Sequence, residues 1–339
     1  MEWQNYFQNL TEKQWTTLIS FKFAFVTVTS LACLIFLVIN VIIIHTLCSR
    51  PVFRETSRYM LLLNLVVADS FMLFMGQLMY LKNAFYMFVS YPVCGFYIMI
   101  SYLSAQIAPL TLSVMSIERY IAVCFPFHYP TIVTMRNTAF AILSVWGLGC
   151  VDIFIRALLV LEIHLLPNLQ MNIFCSSSTL LRGPGSKVYE MASTMALFLL
   201  SALVIASSFI SVMVVALSAS TDKVSADKSR NMLLLHMFQL SLNLMSTMGQ
   251  SIFSSVSTLV EPLLARKVFV LFYVFLVMMP RCLTALIYGL KDPSLRLILV
   301  SRLCCHLQAS PNTVTAHTHE RGKETRPPPA PGHTHTLCP

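Results

Sequence analysis

Seven stretches of this chain are so long and so poor in charge that they can only be membrane-crossing helices. Phe23 to Ser49 contains no Asp, Glu, Lys or Arg, and it exceeds the ~20 residues that a helix needs to cross the hydrocarbon. Tyr59 to Leu81 follows with one internal charge, Asp69, and Asn83 to Ile117 runs without any, enough for a loop and a long third helix. Asn137 to Leu161 carries Asp152 and Arg156, Met191 to Thr221 and Asn231 to Val260 are charge-free, and Val268 to Leu290 is interrupted only by Arg281. The expected fold is therefore all-α, a seven-transmembrane helix bundle in one integral membrane domain. Composition agrees: 56% of the 339 residues are hydrophobic and 11% charged, where soluble domains carry about a quarter charged residues. That excludes an ordinary soluble protein.

The formal net charge is +9, and in a membrane chain the basic excess belongs in cytoplasmic loops. Fourteen of the 23 Lys and Arg fall in segments that an N-terminus-out topology places inside, and six in those it places outside. The expected orientation is N-terminus extracellular and C-terminus cytoplasmic in the plasma membrane, with membrane lipid as the partner of the basic rim and no need of nucleic acid. The opening residues lack the basic region and small-residue cleavage site of a removable signal, so the first span is expected to act as a retained targeting signal. Asn9-Leu10-Thr11 is a glycosylation sequon on the expected outer side.

Domain bounds follow: residues 1–22 form an extracellular N-terminus and 23–290 the seven-helix domain. Asp292-Pro293 reads as a helix start, opening an amphipathic juxtamembrane eighth helix over 291–305 with Leu295, Ile298, Leu299 and Leu303 on one face. Cys304 and Cys305 at its end are either sites of S-acylation or two free cytosolic thiols. Residues 306–339 are polar and proline-rich, a disordered cytoplasmic tail.

Charges inside lipid are costly and are either functional or paired. Asp69 is accordingly either a functional carboxylate or a polar knot between helices, with Asn40 at similar depth as its expected hydrogen-bond partner. Glu118-Arg119-Tyr120 sits at the inner end of the third helix, where the carboxylate can hold the arginine until something else competes for it; the plainer alternative is a snorkelling interface pair. Cys94, at the outer end of the same helix, and Cys175, in the loop before the fifth, are placed to form a disulfide in an oxidising compartment.

These residues resemble those of the rhodopsin-class G-protein-coupled receptors: Asn40, Leu65 to Asp69, Cys94, Glu118-Arg119-Tyr120, Trp146, Cys175 and Ile287-Tyr288. The phrases Pro51 to Thr56, Ser116 to Tyr120, Ser220 to Lys223 and Pro280 to Leu290 look more narrowly like the teleost-type odorant-receptor-like branch. The resemblance implies a receptor that binds a small, odorant-like molecule in the outer bundle and activates a heterotrimeric G protein, or else a non-olfactory chemosensory receptor of the same class. It also implies that Arg119 leaves Glu118 on activation to meet a Gα subunit, and that Tyr288 swings inward. The family's Asn-Pro-x-x-Tyr reads Thr284-Ala285-Leu286-Ile287-Tyr288 here, and the base of the sixth helix offers Lys228 and Arg230 where an acid would restrain Arg119. Glu118 must then restrain it alone, which predicts ligand-independent signalling. Asp69 in such receptors commonly helps bind sodium, but Ala108 and Thr284 remove two of the usual ligands.

On the third helix Ser101, Ala105 and Ala108 share a face, flanked by Tyr102 and Gln106. No acid lies on it, which disfavours an amine anchored by this helix. No lysine lies within the seventh span, which excludes a retinal Schiff base. A mostly apolar small molecule held by a few hydroxyls and amides fits, and the same residues could instead pack helices. Asp152 and Arg156, four apart, are expected to neutralise each other, and Arg281 is expected to pair with Asp69 or to contact an acidic ligand. A transporter should show internal repeats or a pathway of charges, which the seven unequal spans lack. No nucleophile cluster or metal-ligand set lies in the spans, so neither an enzyme nor a cofactor is expected.

Overall fold

The computed structural model describes residues 12–85, 87–164, 172–175, 183–219 and 273–281, with the single positions Leu180, Phe238, Ser241, Leu242, Met245, Ser246, Leu283, Ile287 and Arg296. Five helices in it are long and apolar enough to cross a membrane. They are α1 (Glu12–Ser49), α2 (Ser57–Ala84), α3 (Tyr91–Cys124), α4 (Met135–His164) and α5 (Pro184–Ala219). Single helical turns, Pro51–Arg54 and Tyr129–Ile132, join α1 to α2 and α3 to α4. The expected sixth span, most of the seventh, the juxtamembrane helix and the tail lie outside the described residues.

α1, α2, α4 and α5 are each longer than the charge-poor stretch that announces them. Lys82 lies inside α2 with its Nζ 3.5 Å from the Tyr97 ring centroid, and the exposed Lys187 and half-buried Glu190 lie inside α5, because a charged side chain near a helix end finds solvent or a partner without interrupting backbone hydrogen bonds. Pro92 is the second residue of α3, where its fixed φ suits the first helical turn. It is the central element, packing against α2, α4 and most extensively α5, while α1 packs on α2. Outward positions are apolar as well: Leu34 and Val38 on α1, Leu143 and Phe154 on α4, and Leu199 and Leu203 on α5 are all exposed. An apolar surface this continuous is unstable in water and suited to lipid.

Polar side chains register the helices against one another. Trp146 of α4 donates from Nε1 to Asn64 Oδ1 at 2.9 Å, and Asn64 Nδ2 donates to Thr111 Oγ1 at 2.8 Å, so α2, α3 and α4 meet on one amide. Beside this lies a core of Ala68, Ile107 and Val145. Gln77 Nε2 donates to Ser30 Oγ at 2.9 Å, linking α2 to α1. Residues 273–278 form a π-helical turn whose Tyr273 stacks on Tyr80 of α2 with ring centroids 5.6 Å apart. Its hydroxyl also lies where a Cβ on Gly76 would sit only 3.1 Å away, so the missing side chain makes room for the ring.

Near the start of α3, β1 (Phe88–Ser90) pairs antiparallel with β2 (Asn172–Phe174) in the register Phe88 to Phe174 and Ser90 to Asn172. This brings Cys175 back onto α3.

Candidate functional site

Three groups of polar side chains are distributed along the bundle. At one end of α3, Cys94 and Cys175 form a disulfide of 2.03 Å. Both are buried, in a cluster with Ile98, Val160 and Leu180. The bridge pins the two-stranded sheet against α3 and closes a loop with a sequence separation of 81.

Two to three turns further along α3 from the bridge lies a network built on Arg156, which is only 2% exposed. Arg156 Nε donates to Asp152 Oδ2 at 2.6 Å, as the spacing of four on α4 allows, and Nη2 donates to Ser193 Oγ on α5 at 2.6 Å. Asp152 also accepts from Gln106 Nε2 of α3 and from Tyr189 OH of α5, the latter at 2.9 Å. Tyr102 of α3 places its ring 4.3 Å from the Arg156 guanidinium carbon and donates its hydroxyl to Glu190 Oε1. A guanidinium enclosed by a carboxylate and aromatic faces exchanges water for oriented partners, the condition under which a buried cation is tolerated. The structure thus joins Tyr102 and Gln106 to Asp152 and Arg156. Sequence reasoning missed Tyr189, Glu190 and Ser193. Glu190 sits just before the charge-free run from Met191 and so read as its boundary, although the spacing 186, 189, 190, 193 on one helix face was available. Ser101 and Ala105 remain half-buried, with the Ser101 hydroxyl on its own helix at Tyr97 O, while Ala108 is fully buried.

Midway along α2, Asp69 receives Arg281 Nη1 on Oδ1 at 2.6 Å, each residue 1% exposed. Asn40, expected as the partner of Asp69, instead donates from Nδ2 to Ser70 Oγ at 3.1 Å. The reason is electrostatic: a guanidinium–carboxylate bond is about twice as strong as a neutral one, and Arg281 claims the carboxylate while the amide takes the neighbouring hydroxyl. Arg281 therefore takes Asp69, one of the two partners expected of it, as its ion-pair partner. Neither Asp69 Oδ2 nor Arg281 Nε has a partner among the described residues.

At the other end of α3, Glu118 is buried and Arg119 is 28% exposed, with Arg119 Nε 3.6 Å from Glu118 Oε2. The second carboxylate oxygen accepts a hydrogen bond of 2.8 Å from Tyr129 OH, on the helical turn that follows α3. Burial, together with this bond and the Glu118 charge, pushes the Tyr129 phenol from 10.0 up to about 12. Tyr129 thus remains a donor at any ordinary pH and orients Glu118. Tyr120 packs edge-on against Phe125, which ends the helix, with ring centroids 5.7 Å apart. Phe127, in the adjoining turn, is 93% exposed. Tyr288, Asn9, Cys304 and Cys305 lie outside the described residues.

Comparison with known proteins gives the same placement for the chain as a whole. Residues 39–288 match the model of the 7 transmembrane receptor (rhodopsin family). An Odorant receptor 131-2 of Danio rerio is 30% identical over 267 residues, covering 76% of this chain and 79% of that protein. A Putative olfactory receptor 1F12P of Homo sapiens is 29% identical over 94 residues, 27% of this chain and 28% of its own length. The Alpha-1A adrenergic receptor of Homo sapiens is 31% identical over 115 residues, 32% of this chain and 24% of the relative.

Proposed function

The chain belongs to the rhodopsin family of seven-transmembrane receptors, a multi-pass membrane protein of the odorant-receptor kind, and from that premise we propose that it binds a small, mostly apolar molecule between its helices at the disulfide end and activates a heterotrimeric G protein at the Arg119 end. On this reading it lies in the plasma membrane with its N-terminus outside. Asn9 is glycosylated, Cys304 and Cys305 are acylated beside the inner leaflet, and Tyr288 moves with the inner end of the seventh helix.

The observation that carries the reading is the position of Arg119. Its neighbour Glu118 is buried and held by Tyr129, whereas Arg119 is partly open and, among the described residues, has one ion pair, loose at 3.6 Å. At that separation the contact is longer than a charge-assisted hydrogen bond, about 2.7–2.9 Å, and a carbonyl-rich helix end arriving from the partner would compete for the guanidinium. Release costs little and exposes a cation where the G protein docks. Ligand binding at the far end would bias this contact through α3, which carries residues of both sites.

The test is a cyclic-nucleotide reporter in cells expressing the receptor, screened against water-soluble and volatile compounds, with Arg119→Ala as the uncoupled control. A response in the parent that vanishes in Arg119→Ala at equal surface level supports the proposal. A labelled-solute flux or current with no second messenger would point to transport instead.

A further inference from the structure

Among the described residues, the charges joined through Tyr102 and Arg156 near the disulfide do not balance. Asp152 is satisfied by three donors, one of them the Arg156 guanidinium, so these two charges cancel. Glu190 is left over. It is half-buried on α5, it accepts only the neutral hydroxyl of Tyr102 on Oε1, and it forms no ion pair among the described residues. Lys187, one turn earlier, is exposed and does not reach it. A carboxylate in a low-dielectric bundle without a counter-ion is expensive. A second, independent observation adjoins it: Arg156 Nη1, in a residue 2% exposed, has no acceptor among the described residues. Tyr102 connects the two, its ring under the guanidinium and its hydroxyl on Glu190.

Building on the reading of this end as a small-molecule site, we infer that the ligand is a monocationic amine carrying a neutral hydrogen-bond acceptor a short chain away. The ammonium neutralises Glu190, and the acceptor, an ether, hydroxyl or carbonyl oxygen, takes Arg156 Nη1. The anchor is on α5, which is compatible with the absence of an acid on the ligand-side face of α3. Charge decides among ligand classes. A neutral odorant leaves Glu190 unbalanced, and a zwitterionic amino acid, having no net charge, leaves the sum of Asp152, Arg156 and Glu190 at one negative charge. Only a net cation brings the described charges Asp152, Arg156 and Glu190 to neutrality.

The experiment uses the full-length receptor in reporter cells and, in parallel, purified in detergent for thermal unfolding. Probes are amino alcohols and phenethylamine, their N-acetyl derivatives, matched neutral alcohols, and phenylalanine. The amines are expected to act and to raise Tm, their N-acetyl forms and the alcohols to be inactive. Glu190→Gln keeps the Tyr102 hydrogen bond and the surface level but weakens the amine response by roughly 100-fold, as expected for loss of a close charge pair, while Glu190→Asp preserves the preference for amines. Equal potency of N-acetyl and free amines, a response to phenylalanine alone, or an amine response unchanged in Glu190→Gln would overturn the inference while leaving the receptor reading intact. Absence of any amine effect in both reporter and Tm would overturn it too, and Arg119-dependent basal signalling still judges the receptor reading separately.

Discussion

Removing either Asp69 or Arg281 alone strands a charge that is 1% exposed and so sealed from bulk solvent. Asp69→Asn or Arg281→Gln should each destabilise the purified receptor by about 3–5 kcal/mol, and the double substitution by clearly less than the sum, since replacing both members of a buried pair removes the uncompensated charge. Thermal unfolding of the four proteins measures this; additive losses would show the contact to be energetically idle. Tyr129 makes a prediction in pH. Its phenol is raised from 10.0 to about 12 in the folded chain, so the folded state holds this proton more tightly. The associated stability is complete below pH 10 and is lost as pH rises towards 12. Tyr129→Phe should flatten that part of the alkaline stability profile relative to the parent. At this scale adjacency in sequence was readable and adjacency in space was not. Glu118 beside Arg119, and Asp152 four residues before Arg156, declared themselves. Tyr129, Glu190 and Ser193 became partners only through a turn and a helix crossing that no spacing encodes, and Asn40 was assigned to Asp69 because equal depth does not reveal which donor wins.

Helix positions were legible from charge-free runs because lipid admits little else, but helix ends were not. α1 begins at Glu12 and α5 at Pro184, well before the runs from Phe23 and Met191, since a charged residue within reach of the interface does not break a helix. Small residues set how closely the helices approach. A Cβ on Gly149 of α4 would lie 2.8 Å from Leu103 Cδ1 of α3. Gly149→Ala requires only the end of one leucine to shift and should cost about 1 kcal/mol or less, whereas the β-branched Gly149→Val should force α3 and α4 apart at about 1–3 kcal/mol. Tm of the purified variants separates the two, and equal values would mean that the helices have slack here. The π-helical turn at 273–278 stands just before Pro280 and Arg281, in the segment where the usual proline motif is displaced. Such turns recur at functional sites, and this one precedes the residue that locks onto Asp69.

Across the whole molecule, one helix carries the account. α3 bears the disulfide cysteine at one end, Tyr102 and Gln106 below it, and Glu118 and Arg119 at the other end, while contacting α2, α4 and α5. The proposed topology places the Asn9 sequon and the disulfide on the outer side, so Asn9→Gln should abolish a glycosidase-sensitive mass shift of the surface receptor, and an N-terminal epitope should stain on intact cells. Staining only after permeabilisation would reverse the topology. The central claim is that Arg119, restrained by Glu118 alone, couples this bundle to a G protein. Its most direct test is nucleotide exchange on a purified heterotrimeric G protein, driven by the receptor in lipid nanodiscs without added ligand. The account predicts exchange above that of empty nanodiscs, increased by Glu118→Gln and abolished by Arg119→Ala. Exchange at the empty-nanodisc rate in the parent and in Glu118→Gln, with both proteins folded, would contradict it.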